Sequence, residues 1–149
     1  MSIRHPIIAI TGSSGAGTTS VTRTFAQIFR REKVTAGVIE GDSFHRYDRK
    51  AMKLKAAEAE SQGNQNFSHF GPENNLFAEL AELFRAYGET GSGKRRRYLH
   101  DLEEAAPYKQ DPGTFTPWED LPKGTDLLFY EGLHGAVVTP EINIAQHPD

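Results

Sequence analysis

The chain has 149 residues, a net charge of −3, 25% charged and 37% hydrophobic residues, and no cysteine. These values exclude a disulfide framework, a thiolate metal site and any general electrostatic pull toward nucleic acid. They suit one globular domain over residues 1–149 with a core of its own. No stretch approaches the ~18 apolar residues of a membrane-spanning helix. Residues 1–5 run straight into the first apolar segment, which leaves no room for a signal peptide. The sequence therefore reads as cytoplasmic, with no membrane partner.

Residues 6–11 form a short, continuous apolar run, as in a buried parallel strand. Over residues 18–31, Val21, Phe25, Ile28 and Phe29 recur on one helical face. Residues 34–40 are a second strand ending at Gly41 and Asp42. Together these make a strand–loop–helix–strand unit. Residues 50–62 are rich in Ala, Lys and Glu and read as a helix stopped at Gly63. A polar loop follows over 64–70. Pro72 suits the first position of a helix carrying Leu76, Leu80, Leu83, Phe84 and Tyr87 and closed by Gly88. Residues 88–97 read as a loop or hairpin tip that ends in four basic residues. A short strand is expected at 98–101, irregular chain at 107–122 and a third buried strand at 126–131. With three parallel strands and no helix of useful length after residue 142, the sheet is expected to have unprotected edges. The chain looks like the front half of a larger α/β domain.

Three elements carry chemistry. Residues 12–19 read Gly-Ser-Ser-Gly-Ala-Gly-Thr-Thr. This is the phosphate-binding loop G-x-x-x-x-G-K-[ST] with Thr18 at the lysine position. A bare Gly/Ser turn would look similar, but here a strand precedes the loop and a helix follows. Backbone N–H groups from Gly12, Ser13, Ser14, Gly15, Ala16, Gly17, Thr18, Thr19 and Ser20 would cradle a nucleotide polyphosphate. The Thr19 hydroxyl would reach Mg²⁺. Asp42, after the second strand, suits a base for an attacking hydroxyl, although Asp and Ser also cap helices. Glu131 ends the third strand as a Walker B carboxylate would, holding Mg²⁺ directly or through water; a strand-end Glu facing solvent is the plainer reading. Ligands collect outside the carboxyl ends of parallel strands, so all three belong to one edge and to phosphoryl transfer. Arg49 suits an anionic acceptor. Tyr98 and His100 alternate with Leu99 and would face one side. Arg31, Lys53 and the basic run at 94–97 add positive charge, the run reading as a solvated face. His69, His134 and His147 lack metal-cluster spacing and read as ordinary polar residues.

Residues 10–18, 40–46, 67–70, 87–91, 97–100 and 128–135 together resemble the bacterial phosphoribulokinase family, across nearly the whole chain. Members of that family share the missing loop lysine. The resemblance implies a P-loop kinase fold of the α/β class, with a central, mostly parallel sheet and flanking helices, incomplete at its C-terminal end. It implies ATP- and Mg²⁺-dependent phosphorylation of the C1 hydroxyl of ribulose 5-phosphate. Asp42 would be the base and Glu131 the metal-associated carboxylate. His45, Arg49, Tyr98 and His100 would surround the sugar phosphate, with Arg31 and Lys53 as lesser contributors. A full-length member would be a homo-oligomer. Family members are longer, and their second half supplies the rest of the sheet, a mobile lid and further Lys and Arg residues. Two alternatives stay open: a uridine-kinase-like nucleoside kinase, against which Thr18 and His45 argue, and a catalytically inactive nucleotide-binding protein.

Overall fold

The computed structural model describes residues 4–13 and 15–149. Ser14 of the loop and residues 1–3, on which the reading of the N-terminus rests, lie outside the described residues. Strand β1 (Ile7–Thr11) passes through the glycine loop into α1 (Thr18–Glu32), and β2 (Ala36–Glu40) follows. Next come α2 (Arg49–Ser61) and α3 (Phe77–Thr90). An arm then carries β3 (Lys94–Arg95), the short α4 (Leu102–Ala105) and β4 (Glu119–Asp120), and leads to β5 (Leu127–Gly132).

The three long strands form one parallel sheet in the order β1-β5-β2. The last strand in sequence is thus the central one, which explains why β5 is the most buried. Thr11 pairs with Gly132, and Glu40 with Glu131, so all three strands end at the same edge. On one face Ile7, Ile39, Leu128 and Tyr130 pack under α3, whose Leu80, Leu83, Phe84 and Tyr87 are all buried. On the other face Phe25 and Phe29 of α1 stack on Phe129, at ring separations of 5.3 and 5.4 Å. Val21, Ile28 and Val38 on that side remain exposed.

Several boundaries differ from the sequence reading. Gly88 does not close α3, which runs on to Thr90 and ends at Gly91 in the left-handed conformation. A glycine costs only ~1 kcal/mol inside a helix, whereas Gly91 supplies the positive φ that a C-terminal cap favours. Pro72 opens a separate 3₁₀ turn, Pro72–Asn74, and α3 begins after Leu76. Residues 94–95 are not a hairpin tip; they pair antiparallel with residues 119–120, far along the chain. Residues 98–101 make no strand, only an isolated bridge between Tyr98 and Phe115. The sheet edges are partly satisfied. Ile7 exchanges hydrogen bonds with Asp149, its N–H donating to Oδ2 at 2.8 Å and its carbonyl accepting at 2.9 Å. Arg95 donates to the Val38 carbonyl at the edge of β2.

Candidate active site

The glycine loop is built by backbone freedom. Gly15 and Gly17 sit at φ 84° and 86°, where a side chain would be strained. Gly17 is the N-cap of α1, and its carbonyl accepts from Ser20 and Val21. The Ala16 N–H donates to Ser13. The opening turn of α1 therefore directs the N–H groups of Thr18 and Thr19 toward the carboxyl edge of the sheet, as an anion site requires.

Asp42 sits in a 3₁₀ turn, Gly41–Phe44, immediately after β2. Two imidazoles hold its carboxylate: His45 Nε2 lies 3.4 Å from Oδ1, and His100 Nε2 lies 3.1 Å from Oδ2. The hydrogen bond from His45, then that from His100, outweigh burial and hold the carboxyl down at about 2. Asn75 sets the His45 ring. Its Nδ2 donates to the carbonyls of His69 and Gly71, which leaves Oδ1 to accept from His45 Nδ1 at 2.7 Å. Nε2 is thereby turned toward Asp42, to which it donates in the doubly protonated ring, since Nδ1 already carries a proton toward Asn75. His69, expected to be an ordinary polar residue, stacks edge-on against His45 at 4.4 Å between ring centroids. His100 also meets Glu104 through Nδ1 at 2.9 Å. Burial opposes charge on the His100 ring, but its bonds to Asp42 and Glu104 prevail and raise its pKa.

Arg49, the first residue of α2, reaches the same place. Its Nη2 donates to the His100 carbonyl at 2.8 Å, and its guanidinium lies 5.9 Å from the centre of the Tyr98 ring. Tyr98 and His100 pack edge-to-face at 4.9 Å while Leu99 between them is buried, as the alternation predicts. Lys53 is one turn farther along the Arg49 face of α2. Arg31 is not brought to the site. It lies in the last turn of α1, ~20 Å along the helix from the loop, exposed and paired with Glu32 at 2.7 Å. There its charge complements the helix dipole.

A cavity of about 590 Å³ opens between the loop and the Asp42–His100 pair, bordered by Gly12, Thr19, Glu40, Asp42, His100 and Glu131 among others, while His45, Arg49 and Tyr98 stand behind that wall. Thr22 Oγ1, buried and without a hydrogen-bond partner among the described residues, borders it too. A groove of about 620 Å³ between α3 and the arm is mostly apolar and contains none of these groups. Glu40 escaped the sequence reading. It lies beside Glu131 in register, and burial raises its pKa. Only the strand order reveals that proximity. The donors available to a cation here are oxygens, the Thr19 hydroxyl and the Glu131 carboxylate. That set fits Mg²⁺, which binds through one or two carboxylates and keeps water and phosphate oxygens as its other ligands.

A sequence profile of the Phosphoribulokinase / Uridine kinase family matches residues 7–149. The chain belongs to this family. It is 72% identical over 149 residues to the chromosomal phosphoribulokinase of Cupriavidus necator, covering all of this chain and 51% of that protein. It is 64% identical over 146 residues to a phosphoribulokinase of Nitrobacter vulgaris, covering 98% of this chain and 50% of that one. The solved phosphoribulokinase from Rhodobacter spheroides superimposes with a TM-score of 0.88 at 50% identity, over 98% of this chain and 49% of its own. The chain thus spans about half the length of the relatives it matches. Its fold is the P-loop kinase fold of the family.

Proposed function

We propose that the chain carries the acceptor site and phosphate loop for ATP- and Mg²⁺-dependent phosphorylation of D-ribulose 5-phosphate to D-ribulose 1,5-bisphosphate. The observation that carries this reading is the ionised Asp42 carboxylate, held by His45 and His100 on the cavity wall beyond the phosphate loop, with Arg49 docked on His100.

Asp42 accepts the hydrogen bond of the C1 hydroxyl and takes its proton as the new O–P bond forms and ADP departs. A carboxyl titrating near 2 is a weak base, and phosphoryl transfer tolerates that. Its transition state is loose, so aiming the hydroxyl in line matters more than removing its proton early. A carboxylate offers about four lone pairs, and the two imidazoles engage only two directions. Arg49, Tyr98 and His100, with Lys53 on the same side, bind the sugar phosphate through charge-assisted contacts. N–H groups of residues 12–20 other than those of Ala16 and Ser20, which are bonded within the loop, bind the nucleotide phosphates. Bound Mg²⁺ would neutralise phosphate oxygens, and Thr19 and Glu131 would hold it. The reading places the enzyme in the cytoplasm.

Turnover with ATP and Mg²⁺ tests the substrate. ADP release with ribulose 5-phosphate and none with uridine is expected. Phosphorylation of uridine with ribulose 5-phosphate left untouched would overturn the proposal.

A further inference from the structure

Within the basic run at 94–97, Arg96 parts from Lys94 and Arg95. Lys94 and Arg95 pair across the arm with Asp120 and Glu119, at 3.0 and 3.1 Å. Arg96 turns inward. Its Nε donates to the Ser43 carbonyl at 2.8 Å and its Nη2 to the His45 carbonyl at 2.6 Å. The guanidinium carbon lies 3.6 Å from the centre of the Phe115 ring and 4.7 Å from that of Trp118. Trp118 in turn packs edge-on against the buried Phe44. Burial lowers the Arg96 pKa to about 10, which leaves it charged at neutral pH. Among the described residues no carboxylate forms an ion pair with it; Glu79 acts on its charge from farther off, and its direct contacts are to carbonyls and rings.

We propose that Arg96 is a positioning residue for the reaction: it fixes the turn bearing Asp42 and His45 to the arm bearing His100, and so sets the Asp42–His100 contact. The turn has two flanks. On one, Leu76 N–H donates to the Phe44 carbonyl at 2.7 Å and Arg46 N–H to Asn74 at 2.8 Å. On the other, the carbonyls of Ser43 and His45 point to Arg96. One flank alone would let the turn pivot about residues 74–76, carrying Asp42 away from His100. Arginine suits the task because its rigid fork reaches alternate carbonyls while its flat face stacks between two rings. Lysine offers one point charge and no plane.

The role given to Arg96 rests on the proposed function only for what Asp42 does; the contact that it sets is present without substrate. The test is therefore an NMR titration of the histidine rings in the 149-residue chain without ligand. Asp42→Asn serves as the reference for a lost contact, and far-UV circular dichroism as the check on folding. Arg96→Met is expected to lower the His100 pKa by at least half of the shift seen in Asp42→Asn, in a chain that still unfolds cooperatively. Arg96→Lys should recover only part of the difference. If Arg96→Met lowers the unfolding midpoint but leaves the His100 titration unchanged, Arg96 is structural only and the proposal is overturned. Should Arg96→Met fail to fold, Trp118→Leu strips one face of the stack while keeping the fork, and the same criterion decides. Substrate identity does not enter this readout, so a wrong substrate assignment would leave its result standing.

Discussion

Asp42 is useful because its environment fixes both its charge and its aim. His45 and His100 stabilise the carboxylate, and the carboxylate in turn raises His100. The two shifts have opposite pH signatures. A depressed carboxyl contributes stability above its unfolded value, near 3.9, and that contribution is lost as pH falls through about 2. A raised imidazole contributes stability in full below its unfolded value, near 6.5, and loses it as pH rises through the raised folded value. The pair is therefore most stabilising between roughly pH 4 and 6.5. Asp42→Asn should lower the His100 pKa in an NMR titration and soften the alkaline decline of thermal stability, while Glu104 preserves part of it. In turnover, the same variant should lose roughly 10²–10⁴-fold in rate with nucleotide binding kept. An unchanged His100 titration would contradict the pairing. Asp42 is legible in the sequence at a strand end and Tyr98 and His100 in their alternation around a buried leucine, whereas His45 is legible through the family resemblance. Asn75 and Arg96 were not. Each acts across thirty or more residues of chain, and their partners are fixed by tertiary structure rather than by spacing.

Among the elements, the meeting of β2 and β5 at the site carries the tightest constraint. A Cβ on Gly41 would lie 2.7 Å from the Tyr130 hydroxyl and 2.8 Å from Gly132 Cα, and one on Gly132 would lie 2.7 Å from Gly41 Cα. Backbone meets backbone there, so neither residue can move aside. Gly41→Ala should cost about 1–3 kcal/mol through overpacking, read as a lower urea midpoint at unchanged slope. A midpoint equal to that of the parent chain would contradict the close approach. The strands, α1 and the core stripe of α3 followed from apolar runs and helical periodicity. Their order did not: nothing local places β5 between β1 and β2. That insertion sets Glu40 beside Glu131, which is why Glu40 went unread. The end of α3 was misplaced because two glycines compete there, and only the one at positive φ caps the helix.

Taken whole, the molecule divides its labour between one face and the carboxyl edge of a three-stranded sheet. The α3 face holds the continuous core and sets the strands. The carboxyl edge, crossed by the arm from residues 93–121, gathers groups from the glycine loop, α1, β2, the arm and β5 around one cavity, with Arg49 of α2 docked on the arm beside it. Arm and sheet are joined by Arg95 and Arg96 to main-chain carbonyls and by His100 to Asp42. Arg49 fastens α2 to the same arm through His100 and Gly113. The site is thus assembled from distant segments but depends on few contacts. Isothermal titration of the 149-residue chain with D-ribulose 5-phosphate, and separately with uridine, tests most directly whether this assembly is an acceptor site for a sugar phosphate. Saturable binding of the sugar phosphate is expected, weakened tenfold or more, about 1.4 kcal/mol, by Arg49→Ala, with no binding of uridine. Binding of uridine in place of the sugar phosphate, or equal affinity in Arg49→Ala, would contradict it.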